Sequence, residues 1–325
     1  MVLFDSNFPV SSFLGFRPFL SEFSHRYSDL RFSPLKSDSL KVSELLALGS
    51  SYFSHPTLKK WSQRIFRCSP SLFLRPSESG LKLREASFCK VRLCPMCSSR
   101  KSAMWKAKFL QIYPQLVYDH SNLRYLFLTL TIKNVLVSEL KNSLIKVLRP
   151  SIKRFFDSLS YRLGDIFQGK IRKFECTYSS EKYCHPHYHY VLAVSPEYFD
   201  SDSYLSFTDW CSLWQSSLRA DYKPSIRIRA ISLSDEKGFL EVLKYELKPN
   251  DFKKDYKWLS QYGLQVSGTK IYSTSGLLRK YFNFLEYDPD MIHEADKKYN
   301  SSFGISNNLI RFDYNKSAKN YVLNN

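Results

Sequence analysis

Alternating apolar and polar positions predict β-strands in the middle of the chain. Along residues 123–132, Phe127, Thr129 and Thr131 alternate with apolar residues, as expected where successive side chains point to opposite faces of a strand. A short loop between two such segments predicts a hairpin. The predicted strands are residues 123–132, 170–178, 187–194 and 226–231, of which the second and third are joined by the loop 179–184.

Apolar residues spaced three or four apart predict helices around these strands. Ser138 caps a long amphipathic helix in which Pro150 either introduces a kink or begins a second segment, and Pro114 ends a basic helix. The predicted helices span residues 39–48, 56–65, 98–113, 138–159, 209–218 and 234–249. We therefore predict an α+β fold class, with a central antiparallel sheet that has helices packed on one face and the helix 234–249 crossing the face on which His187 and His189 lie.

Positive charge is concentrated in one part of the chain. The 325 residues carry a formal net charge of +18, with a pI near 9.5. Residues 59–109 contain 13 lysines and arginines against two glutamates. This favours a polyanionic partner, nucleic acid ahead of an anionic membrane, because cations release counterions on meeting phosphates. Arg92, Arg100 and Lys101 are candidate phosphate contacts, although a charged run is usually a solvated surface.

The chain shows neither a membrane span nor a secretory signal. No stretch approaches about 20 consecutive apolar residues, and the N-terminus lacks a basic start followed by an apolar block. We expect a cytoplasmic protein with no membrane partner. The seven cysteines then favour reduced thiols over a disulfide framework.

Four of the cysteines lie in the basic segment with a spacing typical of a metal site. Cys94 and Cys97 form a Cys-x-x-Cys turn, and Cys89 and Cys68 precede it. Two thiolates held by such a turn, completed by two others, would bind a structural zinc ion tetrahedrally. The alternatives are small buried cysteines or a redox pair.

Three of the seven histidines fall within five residues of one predicted strand. His185, His187 and His189 project from the same face, since side chains alternate along a strand. The hairpin brings Glu175 onto that face as well. Two imidazoles and a carboxylate would hold a divalent metal and leave coordination positions open. The alternative is a half-buried strand whose polar residues face water.

The predicted helix 234–249 carries a further candidate pair. Glu241 and Tyr245 are four residues apart, hence on one helical face, and Lys244 and Lys248 lie beside them. A single helical tyrosine is normally a core residue, so the helix by itself does not assign Tyr245 a catalytic role.

Several of these motifs together resemble the rolling-circle replication initiators of small bacterial plasmids, which are His-hydrophobe-His (HUH) endonucleases. The motifs occur in the family's order, and the resemblance covers roughly residues 65–285. The matching segments are residues 88–97, 127–131, 175–178, 185–189 and 241–251.

The resemblance implies roles for individual residues. His187 and His189 would bind Mn²⁺ or Mg²⁺, with Glu175 as third ligand and His185 competing for that position. Tyr245 would be the nucleophile that nicks single-stranded origin DNA, leaving a 5′-phosphotyrosyl link and a free 3′-OH. Glu241 would activate water for the terminating cleavage.

The resemblance also implies partners and an organisation. The partners would be single- and double-stranded plasmid origin DNA together with a host helicase and DNA polymerase, all in the bacterial cytoplasm. We expect a variable leader at 1–58, a basic Cys-rich segment at 59–115, an HUH-like nicking and joining domain at 120–285 and a peripheral tail at 286–325. The alternatives are an HUH transposase or relaxase, and a zinc-containing nucleic-acid-binding regulator without catalysis.

Overall fold

The computed structural model describes residues 32–77, 80–200, 202–231, 255–283 and 309–324, together with Phe239 and Leu243. The described residues form two compact units. Of the described residues, the smaller unit contains 32–37, 68–77, 80–88 and 309–324, and the larger contains 38–67 and the described residues between 89 and 283. The N-terminal leader up to residue 31 and the predicted helix around Tyr245 lie outside the described residues, apart from Phe239 and Leu243.

Helices and strands alternate along most of the chain. The helices are α1 (Ser33–Phe53), α2 (Pro56–Phe66), α3 (Pro95–Asp119), α4 (Arg149–Leu163), α5 (Phe207–Leu218), α6 (Tyr256–Val266) and α7 (Gly276–Asn283). The strands are β1 (Ser71–Ser77), β2 (Gly80–Ala86), β3 (Arg124–Thr131), β4 (Val135–Leu136), β5 (Phe167–Tyr178), β6 (Tyr183–Val194), β7 (Ile226–Ile231), β8 (Tyr272–Ser275), β9 (Ile310–Asn315) and β10 (Asn320–Leu323). The α+β prediction is confirmed.

The larger unit is built on one antiparallel sheet. Its strand order is β7-β3-β6-β5-β8, and β4 pairs with the start of β6. The predicted hairpin is present as β5 and β6, whose register places Glu175 opposite His187. On the other side of β6, Thr129 of β3 lies opposite His189. The three strands predicted to be central therefore are central.

One face of this sheet is covered by α4 and α5. The Phe156 ring lies 4.9 Å from the Tyr190 ring of β6, and Phe155 contacts Trp214 at a centroid distance of 5.7 Å. The Trp214 indole N–H donates to the Thr131 carbonyl at 2.8 Å, which satisfies a buried polar group at the end of β3. These contacts tie both helices to the strands that carry the histidine motif.

The opposite face is covered at one end by α3. Phe109, Ile112 and Leu116 join a buried cluster with Tyr125 and Phe127 of β3. Helices thus pack on both faces. The sequence predicted only the helix 234–249 on this second face, and α3 packs there because it has an apolar side that needs a partner. Beyond Phe127 the same face becomes polar.

Pro114 does not end its helix as the sequence predicted, whereas Pro150 lies at the start of α4, as one of its two predicted alternatives has it. Helix α3 continues past Pro114, which lies on its exposed side, while Ile112 and Leu116 stay buried on either side of the proline. The chain is also helical through Pro150, which is preceded by a π-helical segment, Ser143–Leu148. The wider turn accommodates a residue that has no N–H to donate.

The smaller unit contains a four-stranded sheet of order β10-β9-β1-β2. Its last two strands come from the segment predicted to be a peripheral tail, and Tyr321 donates from its hydroxyl to the Ser69 carbonyl at 2.6 Å. Phe312 and Tyr321 are buried there.

No helix within the described ranges has the length and apolar character needed to cross a membrane.

Candidate metal centre

The β5–β6 hairpin brings Glu175, His187 and His189 together on one sheet face. One ligand atom from each lies within 4.8 Å of the others. Glu175 and His187 are directly opposed across the hairpin, and His189 is two residues further along β6, hence on the same face. Regular antiparallel pairing is thus sufficient to assemble the group.

The spacing of these atoms suits a small divalent ion. His189 Nε2 lies 3.2 Å from Glu175 Oε2, and His187 Nε2 lies 3.8 Å from Glu175 Oε1. Neighbouring ligands of an octahedral ion at about 2.1 Å are about 3 Å apart. A slight contraction would therefore let one ligand atom from each of the three residues reach one ion, and mixed imidazole and carboxylate donors suit Mn²⁺ or Mg²⁺.

Hydrogen bonds orient both imidazoles for metal binding. His187 Nδ1 lies 3.0 Å from the backbone carbonyl of His185 and must donate to it, which directs Nε2 toward Glu175. With a metal bound, the Nε2 lone pair would be available to the ion. His189 Nδ1 lies 2.9 Å from Thr129 Oγ1. With Nε2 of His189 on a metal, Nδ1–H would donate to this hydroxyl, an arrangement typical of histidine ligands.

A buried lysine supports the carboxylate. Lys173 is only 1% exposed, and its ammonium donates to Glu175 Oε2 at 2.8 Å. Burial alone would raise the pKa of Glu175, but hydrogen bonds from His187 and His189 and the Lys173 charge hold that pKa well below its usual range. Burial lowers the pKa of His189, although its contact with Glu175 opposes this. Glu175 is therefore ionised and ready to act as a ligand.

Sequence reasoning missed Lys173 and Thr129 as parts of this site. Both were within reach of the alternation rule, since Lys173 is two residues before Glu175 and Thr129 lies on the metal face of β3. What the sequence lacked was the pairing register, which sets Thr129 opposite His189 and His189 opposite Lys173.

His185 lies outside the group. Its Nδ1 is 2.8 Å from Asn134 Oδ1, and its ring centroid is 5.4 Å from that of His187. Burial, with a smaller contribution from His187, lowers the pKa of His185. The described geometry thus favours Glu175 over His185 as the third ligand.

The predicted catalytic residues lie outside the described residues. This applies to Tyr245 and Glu241, and to the predicted phosphate contacts Lys244 and Lys248. Two described residues, Phe239 and Leu243, precede Tyr245 in sequence. Both are buried in the cluster on the metal face of the sheet.

Phe239 and Leu243 are held by specific contacts. The Phe239 ring lies 4.8 Å from the Tyr125 ring of β3 and 5.2 Å from Phe109 of α3. The Leu243 carbonyl accepts a hydrogen bond from Ser102 Oγ at 2.5 Å. These contacts fix two points of the chain immediately before Tyr245.

Three of the four cysteines of the basic segment come together in the larger unit. The sulphurs of Cys89, Cys94 and Cys97 lie within 4.8 Å of one another. Cys89 and Cys97 are 3.6 Å apart, far longer than a disulfide, and close to the separation of about 3.8 Å expected for thiolates around a zinc ion. Ser39 Oγ lies 3.6 Å from Cys94 Sγ and supplies a neighbouring hydroxyl. The three thiols have the spacing of zinc ligands, and Cys68, which belongs to the smaller unit, stays a predicted fourth ligand.

The predicted DNA-binding residues of the basic segment differ in their surroundings. Arg92 is half-buried, and its Nη1 donates to the carbonyls of Val266 and Thr269, both at 2.7 Å. It therefore anchors the cysteine loop to the end of α6, and a contact with DNA stays a prediction. Arg100 is half-buried in α3, and Lys101 is exposed.

Comparison with known proteins adds to this geometry. A family model described as a replication protein matches residues 80–322. A protein named Protein rep from Lentilactobacillus hilgardii is 29% identical over 81% of this chain and 88% of its own length, and one from Lactiplantibacillus plantarum is 30% identical over 79% and 86%.

A third Protein rep, from Streptococcus pneumoniae serotype 2 (strain D39 / NCTC 7466), is 37% identical over 58% of this chain. That alignment covers 60% of the Streptococcus protein, less than two thirds of its length. No solved structure is detectably similar to this chain.

Proposed function

Because this chain belongs to the replication protein family, we propose that it initiates rolling-circle plasmid replication by nicking one strand of origin DNA. The observation that carries the proposal is the cluster of Glu175, His187 and His189, with ligand atoms within 4.8 Å of one another on a rigid sheet. A bound divalent ion would polarise the scissile phosphate and stabilise charge in the transition state. In this proposal Glu175, His187 and His189 hold the ion, and another side chain of the protein supplies the nucleophile.

Tyr245 is the proposed nucleophile. Its phenol, with an ordinary pKa of about 10, loses its proton as its oxygen bonds to phosphorus, and the 3′ oxygen leaves and gains a proton. Support comes from Leu243, which is buried on the metal face and lies two residues away.

Glu241 is proposed to activate water for the terminating cleavage. In a helix, residues 241 and 245 lie on one face, so both would approach the same phosphate. Lys244 and Lys248 would neutralise neighbouring phosphates. The thiols of Cys68, Cys89, Cys94 and Cys97 are proposed to hold a structural zinc ion, because four sulphur ligands suit zinc best.

The proposal predicts a covalent protein–DNA adduct. Purified protein is incubated with strand-specific oligonucleotides spanning the plasmid origin, in Mn²⁺ or Mg²⁺, and adducts are separated by denaturing electrophoresis. The adduct should form with one strand only and be absent in Tyr245→Phe and in EDTA. Tyr161→Phe, which alters a tyrosine that is 94% exposed, is the matched control.

Each outcome has a separate meaning. An adduct that persists in Tyr245→Phe would show that another residue is the nucleophile. Glu241→Ala should retain the first nick and lose hydrolytic release, and equal loss of both steps would remove its role in activating water.

Tight binding without cleavage in any divalent ion would instead favour a non-catalytic zinc-containing regulator. Cleavage restricted to transfer-origin or transposon-end strands would favour an HUH relaxase or transposase.

A further inference from the structure

Strand β7 presents two arginines on the same sheet face as the metal ligands. Arg227 lies opposite Thr129 and Arg229 opposite Phe127, and directly opposed residues share a face. Thr129 is in turn opposite His189. Arg227 and His189 therefore lie in one cross-strand row, two strands or about 10 Å apart.

Contacts within the sheet link Arg229 to the same site. Its guanidinium carbon lies 5.2 Å from the centroid of the Phe127 ring. The Phe127 ring also contacts the His189 ring, at a centroid distance of 5.6 Å. Phe127 is buried, so it forms a fixed spacer between the arginine and the metal ligand.

The two faces of β7 have opposite characters. Ile226 is buried and Ile228 half-buried on the face that α5 covers, whereas Arg227 and Arg229 are both exposed on the metal face. Within the described part of the chain, β7 is one of the two edge strands of the sheet. The arginines thus stand at the border of the polar region that contains the metal centre.

We infer that Arg227 and Arg229 bind consecutive backbone phosphates of the single DNA strand whose scissile phosphate lies at the metal centre. This inference rests on the proposed function. Arginines at i and i+2 of a strand are about 6.8 Å apart, a spacing comparable to that of neighbouring phosphates in an extended single strand. Guanidinium groups also suit phosphate oxygens because they can donate two parallel hydrogen bonds.

The competing explanation for the two exposed arginines is that they protect the edge of the sheet from pairing with another chain. Exposed charges on an edge strand discourage pairing with another chain. That role predicts aggregation or a new oligomeric state when the charges are removed, with no change in DNA affinity. DNA binding and self-association therefore need to be measured on the same variants.

The test compares two double substitutions with equal charge change. Arg227→Gln/Arg229→Gln alters the proposed phosphate contacts, and Arg149→Gln/Arg162→Gln alters two exposed arginines of α4, on the other side of the sheet. Binding of a fluorescein-labelled, mixed-sequence single strand is measured by anisotropy in EDTA at several salt concentrations. Size-exclusion chromatography and thermal unfolding are recorded for each protein.

Two lost phosphate contacts should reduce the slope of log affinity against log salt by about 1.4, at about 0.7 per contact on single strands. This corresponds to about tenfold weaker binding at 0.15 M salt. The α4 variant should keep the wild-type slope, and so should Arg227→Lys/Arg229→Lys. If the double Gln variant does not fold, each single Gln variant should lose about 0.7.

Equal slopes for the β7 and α4 variants would overturn the inference, and aggregation with an unchanged slope would assign the arginines to edge protection. These results are separable from the proposed function. An adduct with wild-type protein but equal slopes refutes only the arginine contacts. A reduced slope without any adduct leaves the arginines as a DNA contact and refutes the nicking reaction.

Discussion

The buried ion pair beneath the metal centre allows a quantitative prediction. Lys173→Met removes an ammonium that is 1% exposed and lies 2.8 Å from Glu175 Oε2. The methionine fills a similar volume, so the main change is a carboxylate left in a buried position without its cation. Removing one partner of such a pair costs about 3–5 kcal/mol. We expect about 3 kcal/mol, the lower end, because His187 and His189 also contact the carboxylate.

This loss should appear as a lower melting temperature of the larger unit. For 150–250 residues, each 1 kcal/mol shifts Tm by about 2–4 °C, so Lys173→Met should lower it by about 6–12 °C in EDTA. The matched control is Lys153→Met, which breaks the exposed pair with Asp157 at 2.6 Å. Such a helical surface pair is worth about 0.3–0.5 kcal/mol, hence a shift of at most about 2 °C.

Differential scanning calorimetry of both variants, with and without Mn²⁺, checks this reasoning. Added Mn²⁺ should raise the Tm of Lys173→Met more than that of the wild type, because the ion no longer competes with an ammonium for the charge of Glu175. If Lys173→Met melts within about 2 °C of Lys153→Met in EDTA, leaving the Glu175 carboxylate without its cation does not cost about 3 kcal/mol, and the prediction is wrong.

Four further predictions concern the two metal groups. Thr129→Val removes the hydroxyl beside His189 Nδ1 and should weaken Mn²⁺ binding about 10–100-fold by calorimetry, whereas Thr129→Ser should retain most of the affinity; equal effects would show that the hydroxyl is not used. The lowered pKa of His189 keeps its imidazole neutral to below its ordinary value of 6.5, so Mn²⁺ affinity should hold from pH 8 to about 6.5 and fall only at more acidic pH; a decline that begins above pH 7 would contradict this. In the metal-free protein the same shift means that the unfolded state binds more protons, so stability should fall as pH drops below about 6.5. Cys97→Ser should lower the zinc content from one ion per chain and reduce Tm, while Cys211→Ser, at a buried cysteine outside the group, should leave the zinc content unchanged; a wild-type protein without zinc would refute the site.

Local pattern was sufficient for most of the sheet and for the composition of both metal groups. Strand alternation alone placed His187 and His189 on one face, and the short loop after Tyr178 made Glu175 their neighbour across a hairpin. The Cys-x-x-Cys turn similarly identified Cys94 and Cys97. These features depend on residues close in sequence, where backbone geometry limits the possible arrangements.

Features that depend on distant residues were decided only by the tertiary structure. Pairing register made Thr129 and Lys173 parts of the metal centre, and the carbonyls at the end of α6 turned Arg92 into an anchor for the cysteine loop. The strands Ile310–Asn315 and Asn320–Leu323 were not predicted, although apolar and polar residues alternate along the first. They join a sheet because β9 pairs with β1, far away in the chain, and β10 pairs with β9. Helix α3 continues through Pro114 because the buried side chains on either side of it outweigh the lost hydrogen bond. Sequence thus determined which chemical groups the site contains, while long-range packing decided which side chains support them.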